Sequence, residues 1–322
     1  MKKLFIKICK ILGFEIIDQN KFSVPTLDKE INQDLSKFNE KSIILPLGEV
    51  KITRKVNSII LIVRVNTNVE IWDQNKKRLF EQPKIEYSKR SIKSLITSID
   101  YCKKKHPNLN VKTLIVDDHS SPQNLKRIKE ITDKKDVQII SLDHKKFETI
   151  IKNQKSNETF SNLASLLQSF EIGKNEGNDL ILFLEDDYLH FESMLDEMIL
   201  TYERVASQVG RDILMCPTDY PYLYMNNEKT NILIGNKRHW RTVNKTLCTF
   251  LISKSLIEKY WKNLHKTCVD RHDPFEKYIN EIYKNEICIS PIKSLSLHLT
   301  NVNSSYGLAP FIDYKKLWDQ NE

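Results

Sequence analysis

The chain has 322 residues, enough for one large domain or one domain with additions at its ends. Its ordinary apolar content and 29% charged residues read as soluble and globular, and no apolar run reaches the roughly 18 residues needed to cross a bilayer. Lys plus Arg number 50 against 42 Asp plus Glu; the surplus favours anionic partners, but no basic run is interleaved with aromatics, so nucleic acid is not an expected partner.

In chain order, residues 1–17 carry Leu4, Phe5, Ile8, Ile11 and Leu12 at helical spacing, with Lys3, Lys7 and Lys10 on the other side. This is a short basic amphipathic helix, and two readings fit it: a helix lying on an anionic membrane surface, or a terminal helix docked on its own domain. Residues 18–42 form a polar connector, and short strands over Ser42 to Pro46 and Val50 to Thr53 flank Gly48. Ser58 to Val65 (SIILIVRV) is a strand covered on both faces.

A helix runs from Ser88 through Ile92, Leu95, Ile96, Ile99 and Cys102. A second buried strand, Thr113 to Val116, ends in Asp117 and Asp118, with Pro122 set to open the next helix. Val137 to Leu142 is a third strand. A helix over Thr159 to Ile172 follows, with Gly173 or Gly177 closing it. A fourth strand, Asp179 to Leu184, runs into Glu185, Asp186 and Asp187, and a helix through Met194, Met198 and Leu200 succeeds it. Strand and helix alternate, which predicts a mixed, mostly parallel α/β sheet with helices on both faces.

Two buried strands that each end in adjacent carboxylates predict one crevice beyond their carboxyl ends. Crowded carboxylates repel one another unless a cation sits between them, and Mg²⁺ or Mn²⁺ suits an oxygen-rich, phosphate-bridging site. The chain has seven glycines and neither a G-x-G-x-x-G nor a G-x-x-x-x-G-K-[ST] segment, which excludes the dinucleotide-binding and P-loop solutions to holding phosphate. Its six cysteines form no C-x-x-C pair and fit reduced thiols in a cytoplasmic protein.

V-D-D-H-S-S at Val116 to Ser121 resembles the V-D-D-G-S-[ST] motif of family-2-type glycosyltransferases of the GT-A fold, and L-F-L-E-D-D-Y at Leu182 to Tyr188 resembles their D-x-D segment. The order of strands, helices and motifs agrees as well. The resemblance covers residues 58 to 200 well and 201 to 300 loosely. It divides the chain into an N-terminal helix and connector (1–57), a GT-A-like domain (58–300) and an aromatic-rich tail (301–322).

The resemblance implies transfer of a sugar from a nucleotide-diphosphate sugar to an acceptor hydroxyl, aided by Mn²⁺ or Mg²⁺. Asp117 would bind base or ribose, Asp118 would support that pocket, and Arg64, Asn66 and Asp186 would contribute to nucleotide binding. Glu185 and Asp187 stand at the two acidic positions of D-x-D, with His298 a candidate third metal ligand. In the segment Asp270 to Glu276, Asp273 is the first candidate for general base and Glu276 the second, which implies inversion. Trp240 and Arg241 fall where acceptor loops lie, and Tyr220, Tyr222 and Tyr224 are further candidates to line the acceptor cleft. A glycan or lipid-linked acceptor at the inner membrane face would suit the basic terminal helix and a role in cell-surface polysaccharide or glycolipid synthesis.

The sequence departs from the pattern at His119, where glycine is usual, at Glu185, where aspartate is usual, at Gln168 and Ser169, where Arg-Asn is common, and at Arg64-Val65-Asn66, which lacks the usual proline. Two other readings compete: a nucleotidyltransferase on a related sheet, which would usually carry a Gly-rich basic loop after the first strand, and a non-catalytic basic protein of the membrane surface.

Overall fold

A computed structural model describes residues 2–14, 16, 38–39, 41–44, 48–68, 78–151, 157–225, 228–269, 275–300, 302 and 304–322. The chain opens with α1 (Lys2–Ile11) and a hairpin of β1 (Lys41–Ile44) and β2 (Gly48–Lys51). The α/β part follows: β3 (Ser58–Val65), α2 (Lys84–Lys105), β4 (Asn110–Asp117), α3 (Pro122–Thr132), β5 (Val137–Ser141), α4 (His144–Glu148), α5 (Asn157–Glu176), β6 (Leu180–Glu185), β7 (Tyr188–His190) and α6 (Met194–Val209). The remainder comprises β8 (Leu214–Met215), α7 (Tyr222–Met225), β9 (Ile232–Ile234), β10 (His239–Thr242), β11 (Phe250–Ser253), α8 (Lys254–Lys259), α9 (Trp261–Val269), α10 (Lys277–Ile282), β12 (Cys288–Pro291), β13 (Ser296–His298) and α11 (Tyr314–Asp319).

A nine-stranded sheet in the order β5-β4-β3-β6-β11-β8-β12-β10-β9 forms the centre. Strands β5, β4, β3 and β6 are parallel neighbours. Beyond them β11 and β10 run against the rest, while β8 and β12 pair in parallel. The sheet is therefore mixed and mostly parallel. Helices cover both faces: Ile92, Leu95, Ile128, Met198 and Tyr202 of α2, α3 and α6 pack on one side, and Leu163, Leu167, Leu256, Leu264 and Ile279 of α5, α8, α9 and α10 on the other.

Local chemistry explains the element ends. Ser121 caps α3 by accepting from the Asn124 amide at 3.2 Å, with Pro122 in the first helical turn. Gly210, at φ 69°, ends α6 in the left-handed conformation that glycine adopts without strain. Of the two glycines expected to close α5, Gly177 follows its last residue, Glu176, with its amide donating to the Gly173 carbonyl at 3.0 Å, and Gly173 does not close it. It lies inside the helix because α5 rides so close to β6 that a Cβ there would come within 2.8 Å of the Phe183 ring.

One further correction concerns the first hairpin. The residues expected to turn the first hairpin include Gly48, which instead begins β2. Of the apolar side chains of α1 and its end, Leu4, Phe5, Ile8, Ile11 and Leu12 are 47–77% exposed rather than docked, and Ile6 is half-buried. No helix among the described residues is long and apolar enough to cross a membrane. The tail, by contrast, is packed. Leu317 and Trp318 of α11 join Tyr87, Leu189, Leu297 and Leu299 in one cluster, and the Trp318 ring stacks on Phe80 at 4.2 Å with the Arg90 guanidinium 4.4 Å over it.

The small antiparallel pair β13–β7 sets Ser296 opposite His190 and His298 opposite Tyr188. His190 is buried, its Nδ1 2.8 Å from the Ser296 hydroxyl. Burial pushes its pKa from 6.5 down to about 3, so the folded protein holds it neutral. As the pH falls, the unfolded chain takes up this proton first, and stability is lost from pH 6.5 downward. The loss from this group should be about 2 kcal/mol by a pH of about 5. Denaturant titrations should show that slope in wild type and a correspondingly flatter curve in His190→Gln; parallel curves would contradict the assignment.

Candidate functional site

Strand register builds the site. Val65 lies opposite Asp117, and Arg64 lies opposite Glu185 on its other side. The two acidic clusters therefore flank the end of β3, about 10 Å apart across two strand spacings, at the carboxyl end where open α/β sheets hold ligands.

On the β4 side, Asp117 accepts from the Ser120 amide at 3.3 Å through Oδ2, while Oδ1 is buried with no hydrogen-bond partner among the described residues. Burial raises its pKa. Asp118 accepts from Asn66 Nδ2 at 2.8 Å through Oδ2, and its Oδ1 meets His144 Nε2 at 2.8 Å and His119 Nδ1 at 3.1 Å. His119 has φ 56°. The position where the resembling motif carries glycine thus keeps the left-handed backbone, which histidine tolerates better than most side chains.

On the β6 side, Arg64 is buried and reaches in two directions. Its Nη1 donates to the Asn162 side chain at 2.7 Å and its Nη2 to Glu185 at 2.6 Å. Burial works most strongly against the charge of Arg64, but Glu185, with Cys248, Cys268 and Asp187, together outweighs it and the pKa is raised. Glu185 also accepts from Thr249 at 3.2 Å. Burial raises its pKa, with Arg64 partly offsetting that. Asp187 behaves in the opposite way: burial opposes its charge, yet His298 holds its carboxyl well below the usual range. Neighbouring carboxylates pushed in opposite directions are a recurrent feature of functional sites.

His298 Nε2 lies 3.3 Å from Asp187 Oδ2, and Nδ1 donates to the Tyr306 carbonyl at 2.8 Å. The ring stacks on Tyr188 at 4.8 Å. Burial disfavours its protonation, but Asp187 prevails and the pKa is raised. With Nδ1 committed to a carbonyl, neutral His298 turns the Nε2 lone pair toward Asp187, the tautomer and outer-shell support typical of metal-ligating histidines. Asp187 Oδ1 is buried with no hydrogen-bond partner among the described residues. Asp187 and His298 thus fit a divalent cation. Glu185, committed to Arg64 and Thr249, does not close a three-ligand cluster with them.

Three sequence candidates lie elsewhere. Asp186 turns away from the crevice: Ser88 and Lys84 of α2 each reach its carboxylate at 2.5 Å. Trp240 has no face for a sugar. It is fully buried, with Nε1 3.4 Å from Glu197, and a Cβ on Gly235 would lie 2.3 Å from the indole nitrogen. Arg241 is buried in an ion pair with Asp219, its guanidinium 4.2 Å over the Tyr224 ring. Asp273 lies outside the described residues.

Glu276 stands at the head of α10. Burial and then Glu276 push the Tyr306 phenol up to about 12, and burial, Glu185 and Glu276 in that order raise the Cys248 thiol. Its carboxylate therefore acts on the same region as Glu185 and the His298 support. Of the three candidate tyrosines, Tyr220 and Tyr222 are buried, with the Tyr220 and Tyr188 hydroxyls 2.7 Å apart, and Tyr224, which like Tyr222 lies in α7, is exposed.

Sequence reasoning missed Asn162, Thr249, Tyr306 and His144, which hold the charged residues in place. Each is an ordinary polar or aromatic residue, all but Tyr306 far along the chain from its partner, and no spacing signals it.

No protein-family model and no curated protein matches the chain. Among solved structures it is similar to galactosyltransferase LgtC in complex with donor and acceptor sugar analogs (14% identity, 72% of each chain, TM-score 0.35). It is similar also to TarS of S. aureus (12% identity, 81% of this chain and 38% of that one, TM-score 0.40), and to UDP-glucose pyrophosphorylase complexed with UDP-glucose (10% identity, 76% and 93%, TM-score 0.38). Likenesses this distant leave the functional reading to the geometry of the site itself.

Proposed function

We propose that this protein is a glycosyltransferase with a GT-A-like fold, transferring a sugar from a nucleotide-diphosphate sugar to an acceptor hydroxyl. The observation that carries the reading is the pairing of Val65 with Asp117 and Arg64 with Glu185, which sets two carboxylate clusters side by side at one end of a parallel sheet.

In this reading Asp117, supported by Asp118 and Asn66, binds the base or ribose; its orphaned buried Oδ1 suits a hydroxyl or N–H donor. Arg64 and Glu185 fix each other at the floor of the diphosphate site. Asp186 acts indirectly, tying the first turn of α2 to the crevice through Lys84 and Ser88. Asp187 and His298 are the residues that would hold Mn²⁺ or Mg²⁺, whose charge would offset the negative charge gathering on a departing diphosphate. The proton of the acceptor hydroxyl passes to a carboxylate near the head of α10, by resemblance Asp273 first and Glu276 second, and the anomeric carbon is inverted.

We place the enzyme at an anionic membrane surface, acting on a glycan or lipid-linked acceptor. Support comes from α1, whose exposed Leu4, Phe5, Ile8 and Ile11 form an apolar face on a lysine-rich segment.

Two measurements test these claims. In thermal unfolding with a panel of nucleoside diphosphates, one nucleotide should raise the midpoint of wild type only with Mn²⁺ or Mg²⁺, and Asp187→Asn should lose the effect. A well-folded wild type that no nucleotide–metal pair stabilises would sink the enzyme reading and favour a non-catalytic membrane-surface protein. In sedimentation with vesicles, wild type should bind anionic lipid in a salt-weakened manner and ignore zwitterionic lipid, and Phe5→Glu with Ile8→Glu should release it. Equal binding by that double variant would refute the role of α1.

A further inference from the structure

We infer that Asp118, His119 and His144 form a second metal site, suited to Zn²⁺ or a similar borderline ion and distinct from the hard-ion site at Asp187 and His298. Among the described residues, these three offer ligand atoms that all lie within 4.8 Å of one another. His144 Nε2 and His119 Nδ1 converge on the same oxygen, Asp118 Oδ1, at 2.8 and 3.1 Å. Ligand atoms around a tetrahedral zinc stand about 3.4 Å apart, given bonds of about 2.0–2.1 Å. Small ring rotations cover the difference.

Three features make the cluster more than a surface contact. The Asp118 side chain is 5% exposed, and the ion-pair partners it has among the described residues are these two imidazoles. Its other oxygen is held by Asn66 Nδ2, which aims Oδ1 at the histidines and provides the outer-shell bond that ligating carboxylates require. The rings are also steered: His119 by its left-handed backbone, and His144 by the edge-on Phe160 ring at 5.6 Å. The His119 side chain is 67% exposed, so an ion enters from solvent and a water completes its shell.

Two imidazoles with one carboxylate select Zn²⁺, Co²⁺ or Ni²⁺ over Mg²⁺, which prefers all-oxygen shells. The ion would tie the loop after β4 to α4. The site does not depend on the glycosyltransferase reading, and its test needs no turnover.

Tag-free protein, stripped with chelator, is titrated with Zn²⁺ by calorimetry and with Co²⁺ by visible absorption. Wild type should bind one equivalent at this site, read by its tetrahedral Co²⁺ spectrum, besides any ion held by Asp187 and His298. His119→Gly, which suits the left-handed backbone and so keeps the fold, should bind at least about tenfold more weakly, as should Asn66→Ala. Asp187→Asn should keep this equivalent and its tetrahedral spectrum. Wild-type binding no tighter than that of His119→Gly, or binding lost in Asp187→Asn, would overturn the proposal; circular dichroism confirms that each variant is folded.

Discussion

Four carboxylates, Asp117, Asp118, Glu185 and Asp187, are crowded onto the ends of parallel strands on either side of β3, and the surrounding structure is organised by the need to hold that charge. Each acidic group meets a different answer. Glu185 is met by the buried Arg64, itself braced by Asn162 on α5. Asp187 faces His298, whose ring is fixed by a tail carbonyl. Asp118 lies against two imidazoles. Asp117 keeps one buried oxygen without a partner among the described residues, a state that costs about 1–3 kcal/mol and is the kind of deficit a bound donor relieves.

This arrangement gives the tail a purpose in the site. The Tyr306 carbonyl sets the tautomer of His298, and the Tyr306 ring packs against Tyr220 and Tyr222 at 5.3 and 5.0 Å. Further along, α11 anchors on Phe80, Tyr87 and Arg90 beside the first turns of α2, the helix whose Lys84 and Ser88 hold Asp186. Asp186 and Asp187, adjacent in the acidic turn, are thus braced from segments about a hundred residues away in sequence.

The parallel half of the sheet was legible because its strands are long and buried on both faces. The run Ser58 to Val65 admits no other reading, and Pro122 after Ser121 marks a helix start by chemistry that needs no tertiary context. The antiparallel half, β8 to β12, consists of strands of two to four residues whose identity comes only from their neighbours. Within the site, charge was legible and orientation was not. Asp186 and Asp187 are adjacent in sequence, yet one faces α2 and the other His298. Trp240 falls in sequence where acceptor loops lie, and Gly235, by leaving room for its indole, resolves it to the core.

Sugar transfer and nucleotidyl transfer, both served by related sheets with acidic residues, differ in which bond of a nucleotide sugar is broken. Incubating the protein and Mn²⁺ with a panel of nucleotide sugars, and separating the nucleotide products, distinguishes the two directly. The account predicts release of nucleoside diphosphate from one donor, even if only by slow transfer to water, and its loss in Asp187→Asn. Pyrophosphate-dependent formation of nucleoside triphosphate from the same donor would contradict it and assign the site to nucleotidyl transfer.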